Sequence, residues 1–177
     1  MKIFILVILG LFLSCFHGVR SFAAEEMAKT VNNPDEKAAL ESVQSWLEIM
    51  DMGHYEQCWE IAGADFKERI STRFNKEQAK RAWTEAMLIN FPQSSEGVAS
   101  RRLREKHYFN SVPPNWPNGE YFLFAFDAVR KNGREAEEWV SVNKEKDGQW
   151  RLNSYVIGPT NKQREEMMKK YGPKVKE

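Results

Sequence analysis

The sequence is poor in the residues that hold metals and form disulfides. Its 177 residues include 2 cysteines and 3 histidines, and they form neither a C-x-x-C nor an H-E-x-x-H motif. The one spacing typical of metal ligands is that of His54 and Cys58, four residues apart on a predicted helix. We interpret this pair as a surface histidine above a buried cysteine, because unpaired cysteines are commonly buried. The sequence therefore predicts no metal site.

Motifs for nucleophilic catalysis and for phosphate binding are also missing. The chain has no G-x-S-x-G elbow, no G-x-x-x-x-G-K-[ST] loop and no G-x-G-x-x-G loop. Its formal net charge of +1 gives no field that would attract nucleic acid. The basic run Arg101, Arg102, Arg104 and Lys106 is interpreted as a solvated strand face. We therefore expect no cofactor and no nucleic-acid partner.

The N-terminus has the layout of a secretory signal peptide. Met1-Lys2 is a short positive region, residues 3–16 are largely apolar, and small residues precede a cleavage site after Ala23. The apolar run is shorter than the roughly 20 residues of a membrane-spanning helix. An uncleaved anchor and lipidation at Cys15 are the alternatives. We expect residues 1–23 to be removed as a signal peptide, which leaves no stable membrane span.

Export would leave Cys58 as the one cysteine, so the mature chain would have no internal disulfide. A fold held by its core alone is more typical of the bacterial envelope than of small disulfide-rich secreted domains. The expected location is therefore periplasmic or secreted. Residues 24–33 are polar and lack periodicity, which predicts a linker after the cleavage site.

Three helices are predicted in the first half of the chain. The first begins at Asn33-Pro34-Asp35-Glu36, where asparagine can cap the helix and proline fits its first position. The second runs from Tyr55 to Ile70, and Gly63 weakens its middle by about 1 kcal/mol relative to alanine. The third opens with a capping-box pattern, Asn75–Gln78, and ends at Phe91-Pro92.

Four antiparallel strands are predicted in the second half. The apolar period changes to two after residue 97, and three β-rich runs follow between residues 118 and 157. Asn132-Gly133 and Asp147-Gly148 separate those runs. Both dipeptides fit type I′ hairpin turns, in which the two central residues have positive φ.

The order of elements predicts an α+β fold, with three N-terminal helices packed on a curved four-stranded antiparallel sheet. Residues 34–158 form the single domain. Residues 159–177 form a basic C-terminal tail, which could fold as a short helix but has little to bury.

Several segments together resemble a known family. The helical half contributes residues 45–55, Cys58-Trp59, Phe66 and the region from Gln78 to Trp83. The strands contribute segments of similar order and spacing: Ser100–Leu103, Pro117–Tyr121 and Asp147–Arg151 with Tyr155. Over about residues 38–157 the chain resembles a bacterial exported family of unknown function (DUF4019-like). The resemblance implies an envelope protein with a cystatin-like or nuclear-transport-factor-2-like fold, and it supplies no catalytic residues.

The best candidate for acid–base chemistry is Asp127, which lies in the most apolar strand. A carboxylate buried between sheet and helices could act as a base, with Tyr155 or Tyr108 as a hydroxyl donor. The alternative is that Asp127 sees water near its hairpin or pairs with an arginine such as Arg101 or Arg151. We favour the alternative.

Aromatic residues are the candidates for ligand binding. Large aromatics at helical or strand spacing mostly pack in the core, which is the alternative for each of them. The candidates are Trp83, Tyr121, Phe122, Phe124 and Trp139.

The sequence favours an exported, non-enzymatic binding or interaction domain, whose partner is a small apolar ligand or an envelope protein. The rival hypothesis is a small enzyme of the proton-transfer or hydrolase type that uses Asp127 with a tyrosine. A third is a structural accessory of the envelope without a pocket.

Overall fold

The structure, a computed structural model, describes residues 34–72, 74–91, 97–110 and 117–171. The predicted signal peptide and linker, residues 1–33, lie outside the described residues, as does the end of the tail, residues 172–177. None of the helices in the described part of the chain is long and apolar enough to cross a membrane.

Among the described residues, four helices precede the sheet and one follows it. They are α1 (Pro34–Asp51), α2 (Tyr55–Ile61), α3 (Ala64–Ser71), α4 (Lys76–Asn90) and α5 (Asn161–Tyr171). The strands are β1 (Val98–Phe109), β2 (Tyr121–Arg130), β3 (Glu135–Lys144) and β4 (Trp150–Gly158). All neighbouring strands are antiparallel in the order β1-β2-β3-β4. The predicted α+β class is therefore confirmed.

The second predicted helix is two helices, because the chain is extended at Ala62 and Gly63. The amide of Gly63 donates to the Leu152 carbonyl at 2.8 Å, and the amide of Ala64 donates to Glu145 Oε1 at 2.6 Å. These bonds attach the corner between α2 and α3 to the exposed edge of β4. The break thus has a tertiary cause in addition to the low helix propensity of glycine.

The capping box that opens α4 is confirmed. The Asn75 side chain accepts from the Gln78 amide, and the Gln78 side chain accepts from the Asn75 amide. Two amides that lack partners inside the helix are satisfied in this way, which fixes where the helix begins.

Both hairpins lie where predicted, but the turn type was wrong. Gly133 and Gly148 have positive φ, whereas no other described residue except Gly53 does, so Asn132 and Asp147 have negative φ. The Gly148 amide donates to the Glu145 carbonyl, which closes a tight turn before the glycine. Each loop is therefore a turn followed by a glycine in the left-handed region, a common three-residue hairpin loop.

The core lies between the helices and one face of the sheet. Phe122, Phe124 and Phe126 of β2 point toward the helices and pack with Trp46 and Trp59. Residues on the opposite face of β2, such as Tyr121, are also buried. A strand that is apolar on both faces is typical of a central position, and β2 lies between β1 and β3.

Candidate functional site

Asp127 carries an ion pair with two arginines. Its Oδ2 accepts from Arg102 Nη2 at 2.6 Å and its Oδ1 accepts from Arg104 Nη1 at 3.1 Å. Its side chain is 37% exposed. The sequence favoured pairing of Asp127 with an arginine, and the structure shows such a pairing. The partners are Arg102 and Arg104 rather than Arg101 or Arg151. The unpaired, buried base that proton transfer requires is not found at Asp127.

The two candidate tyrosines do not converge on Asp127. Tyr155 pairs across the sheet with Val140, whose side chain lies in the core, whereas Asp127 pairs with Glu137 on the other face. Tyr108 lies opposite Phe122, five residues from Asp127 along β2 and therefore roughly 17 Å away. The three side chains do not form one catalytic group.

A buried ion cluster joins α1, β1 and β3. Arg101 Nε donates to Glu138 Oε2 at 2.7 Å, and Arg101 Nη1 donates to Asp51 Oδ2 at 2.5 Å. The Glu138 side chain is fully buried, and its Oε1 also accepts from the Tyr155 hydroxyl at 2.8 Å. Burial, followed by the neighbouring Glu138 carboxylate, raises the pKa of Tyr155 well above its usual value. The cluster fixes the end of α1 on the sheet.

The expectation that the basic run is a solvated face was wrong for two of its members. The side chains of Arg101 and Arg104 are only 18% and 23% exposed, whereas that of Arg102 is 80% exposed. The adjacent acids Glu137 and Glu138, on opposite faces of β3, account for the difference because each pairs with one of the buried arginines. The consecutive acids Glu137 and Glu138, one on each face of the strand, were the signal available in the sequence.

The aromatic candidates lie in three separate places. Phe122 and Phe124 are core residues on the helix side of the sheet. Trp83 packs against Tyr55, Trp59 and Phe66 in the helical layer. The two others are on the opposite face of the sheet: Tyr121, whose hydroxyl donates to the Pro117 carbonyl at 2.8 Å, and Trp139, whose ring lies under the Arg104 guanidinium.

A shallow groove, here called the α1–β4 groove, runs between α1 and the start of β4. One part has a volume of about 200 Å³ and the adjoining part about 370 Å³. The two parts share Ser42, Ser45, Gln149 and Trp150. The first part ends at apolar side chains, including Ile61, and the second at acidic ones: Asp35 and Glu41.

The walls of the groove are held by hydrogen bonds. Ser42 Oγ donates to the Trp150 carbonyl at 2.7 Å, and Trp150 Nε1 donates to Asp35 Oδ1 at 3.4 Å. Lys144 Nζ donates to the same carboxylate oxygen at 2.8 Å, which lowers the pKa of Asp35. The groove is therefore held in shape by these bonds, and it offers serine hydroxyls and a charged end. Trp150 lines both parts but is only 6% exposed, so little of its ring is open to solvent. Nothing in the sequence indicated the groove, since it depends on how α1 lies beside β4.

The thiol of Cys58 is unsuited to nucleophilic or metal chemistry. It is fully buried, and burial raises its pKa to about 12. Its Sγ donates to the Trp46 carbonyl, and Trp46 Nε1 donates to the Cys58 carbonyl at 3.1 Å. This reciprocal pair connects α1 and α2. Among the described residues no group of three or more His, Cys, Asp or Glu side chains could hold a metal ion.

Comparison with known proteins identifies a family but no activity. The family described as "Protein of unknown function (DUF4019)" matches residues 42–155. The match includes most of α1, the other helices before the sheet and nearly all of the sheet, and it ends before α5. No curated protein and no solved structure matches the chain. The chain therefore belongs to the DUF4019 family of proteins of unknown function.

Proposed function

We propose that this protein is an exported, non-enzymatic binding or interaction domain of the bacterial envelope, and that it binds through the α1–β4 groove. The observation that carries the proposal is the groove itself, a surface concavity lined by Ser42, by the exposed Ser45 and by the largely buried Trp150. The space between helices and sheet holds the side chains of Trp46, Phe122 and Phe124, each at most 4% exposed. This filled interior supports a binding site on the surface of the domain rather than inside it.

The size and polarity of the groove favour one anchoring group of a larger partner. Pockets for drug-sized ligands have volumes of about 300–1,000 Å³, and the two parts of the groove lie at or below the lower end of that range. A side chain or a short segment of an envelope protein fits that space, and a small ligand with one apolar group is the second possibility. Buried anchors of this kind supply most of the binding energy in protein interfaces.

Export is supported by the signal-peptide pattern and is tested by the mass of the mature protein. We expect expression of the full chain in a bacterial host to yield an envelope-fraction protein whose first residue is Ala24. Intact-mass measurement and N-terminal sequencing distinguish this from a diacylated product that begins at Cys15. A cytoplasmic protein that retains Met1 and residues 2–23 would contradict export.

Filling the groove is expected to abolish binding without unfolding the domain. Ser45 is exposed and lines both parts of the groove, so Ser45→Trp places an indole in it. Gln44 is its exposed neighbour and does not line the groove, so Gln44→Trp is the matched control. In a thermal-shift screen of lipids, small apolar compounds and envelope-protein peptides, we expect a compound that raises the Tm of wild type and Gln44→Trp but not of Ser45→Trp. Ligands that stabilise all three proteins equally would place binding elsewhere.

A further inference from the structure

The C-terminal helix is attached to the body through polar contacts. α5 begins with a capping box in which the Thr160 amide donates to Gln163 Oε1 and the Gln163 amide donates to Thr160 Oγ1. Its next turn is exposed at Glu165, Glu166 and Met167. An isolated helix of this length is marginal in water, so its order depends on what holds its first turn.

One buried carboxylate provides the charged part of that attachment, beside a bond from Gln163 Nε2 to the Glu135 carbonyl at 3.4 Å. Glu137 of β3 is 3% exposed, its Oε1 accepts from the Asn161 amide at 3.0 Å, and its Oε2 accepts from Arg164 Nη2 at 2.7 Å. The same Oε1 accepts from Arg104 Nη1 at 2.8 Å. The carboxylate therefore binds both an unsatisfied amide at the helix N-terminus and a side chain one turn later, where negative charge is favourable.

We propose that Glu137 is a latch that holds α5 on the sheet, and that α5 is a releasable arm. The arginines that Glu137 binds have other acceptors. Arg104 keeps Asp127 and Glu105, and Arg164 keeps the Pro159 carbonyl and the Asn161 side chain. Loss of the latch therefore frees the helix without leaving a buried guanidinium unpaired.

The charges around Glu137 define when the latch is closed. It faces Arg104 from β1, Asp127 from β2 and Arg164 from α5. Burial opposes its ionisation, but the bonds from Arg104, the Asn161 amide and Arg164 outweigh burial and hold the pKa of Glu137 below its ordinary value. A carboxylate whose pKa is depressed in the attached state stabilises that state at any pH above the pKa of the unfolded chain. This contribution is lost as the pH falls through the pKa of the attached state. The latch is therefore closed at neutral pH and opens in acid.

The latch and the α1–β4 groove are at opposite ends of the sheet. Glu137 lies seven residues from Lys144, which packs on Trp150 beside the groove, a separation of roughly 23 Å along β3. The arm is therefore independent of the proposed binding function, and either proposal can fail without the other.

Amide hydrogen exchange of the full mature chain tests the latch. In Glu137→Gln we expect the amides of α5 to exchange roughly 10- to 100-fold faster than in wild type, since charge-assisted bonds are lost. The amides of α1 and β2 should keep their wild-type rates. Glu135→Gln, an exposed position on the same strand, is the matched control and should leave α5 unchanged. Wild-type NMR order parameters for α5 should fall in acid before those of β2.

Arg164→Gln provides a second route to the same state, because it removes the helix side of the contact and leaves Glu137 with Arg104. It should reproduce the faster exchange of α5 even if Glu137→Gln does not fold. Unchanged protection of α5 in Arg164→Gln, or simultaneous loss of protection in α5 and in the body, would overturn the proposal.

Discussion

We expect replacing Gly63 with alanine to lower the free energy of unfolding by about 3 kcal/mol, although alanine is the better helix former. A Cβ at this position would lie 2.8 Å from the Leu152 carbonyl oxygen and 3.1 Å from Glu145 Oε1. The first of these atoms is backbone of β4 and cannot move aside alone. The corner between α2 and α3 must therefore shift away from the sheet, which breaks its hydrogen bonds to Leu152 and Glu145.

Two other glycines separate this contact from general effects of the substitution. Gly158 has open space around its Cβ position, so Gly158→Ala should change stability by less than about 0.5 kcal/mol. Gly133 also has open space but φ of 79°, so Gly133→Ala should cost about 1–2 kcal/mol from backbone strain alone. Urea unfolding of the four proteins measures all three changes. A neutral or stabilising Gly63→Ala would mean that the corner does not approach β4 closely.

The second large effect is expected at the buried ion cluster. Arg101→Met removes the guanidinium that neutralises Glu138, whose side chain is fully buried. Within the part of the chain that the structure describes, the Tyr155 hydroxyl is then its remaining hydrogen-bond partner. Breaking a buried ion pair in this way costs about 3–5 kcal/mol. Equilibrium denaturation should show this loss as a lower midpoint with an unchanged slope.

Removing the second charge should restore much of that stability. In Arg101→Met with Glu138→Gln the unpaired buried charge, which is the costly element, is gone, and the amide oxygen can still accept from the Tyr155 hydroxyl. Arg102→Met is the control at the adjacent, 80% exposed arginine and should cost less than about 1 kcal/mol. A double variant no more stable than Arg101→Met would contradict the interpretation of the cluster as a neutralised pair.

The features that could be predicted from the sequence are those set by local chemistry. The capping box at Asn75 depends on residues three positions apart, and both of its bonds are present. The hairpins at Gly133 and Gly148 depend on glycines that adopt positive φ. The alternation of residues in β2 predicts which side chains share a face of the strand, but it does not predict which face meets the helices. That choice depends on the helical layer as a whole.

The errors arose where distant residues decide the local structure. The predicted second helix is interrupted at Gly63 because the edge of β4 offers the Leu152 carbonyl. Arg101 and Arg104 were assigned to a solvated face because their acidic partners on β3 lie more than thirty residues away. The hairpin turns were assigned type I′ from their dipeptides, but the strand ends require one more loop residue. Contacts between residues that are distant in the chain cannot be predicted from the local sequence pattern.

The candidate site was beyond local prediction for the same reason. The residue types of Asp127 and of the aromatic candidates suit chemistry or binding. In the structure, however, arginines of β1 pair with Asp127, and Phe122 and Phe124 are buried in the core. The groove is formed by serines on α1 and by Trp150 after a hairpin, which no motif connects. The family match identifies the family to which the chain belongs, and no activity is known for that family.

Amide chemical-shift mapping tests the central claim, that this is a binding domain that uses the α1–β4 groove. The protein would be titrated with the first ligand that raises its Tm. We predict that the shifted amides cluster at residues 41–46 of α1 and residues 148–152 around the start of β4. Shifts centred instead on Asp127 and Arg102, with the groove unaffected, would contradict the claim.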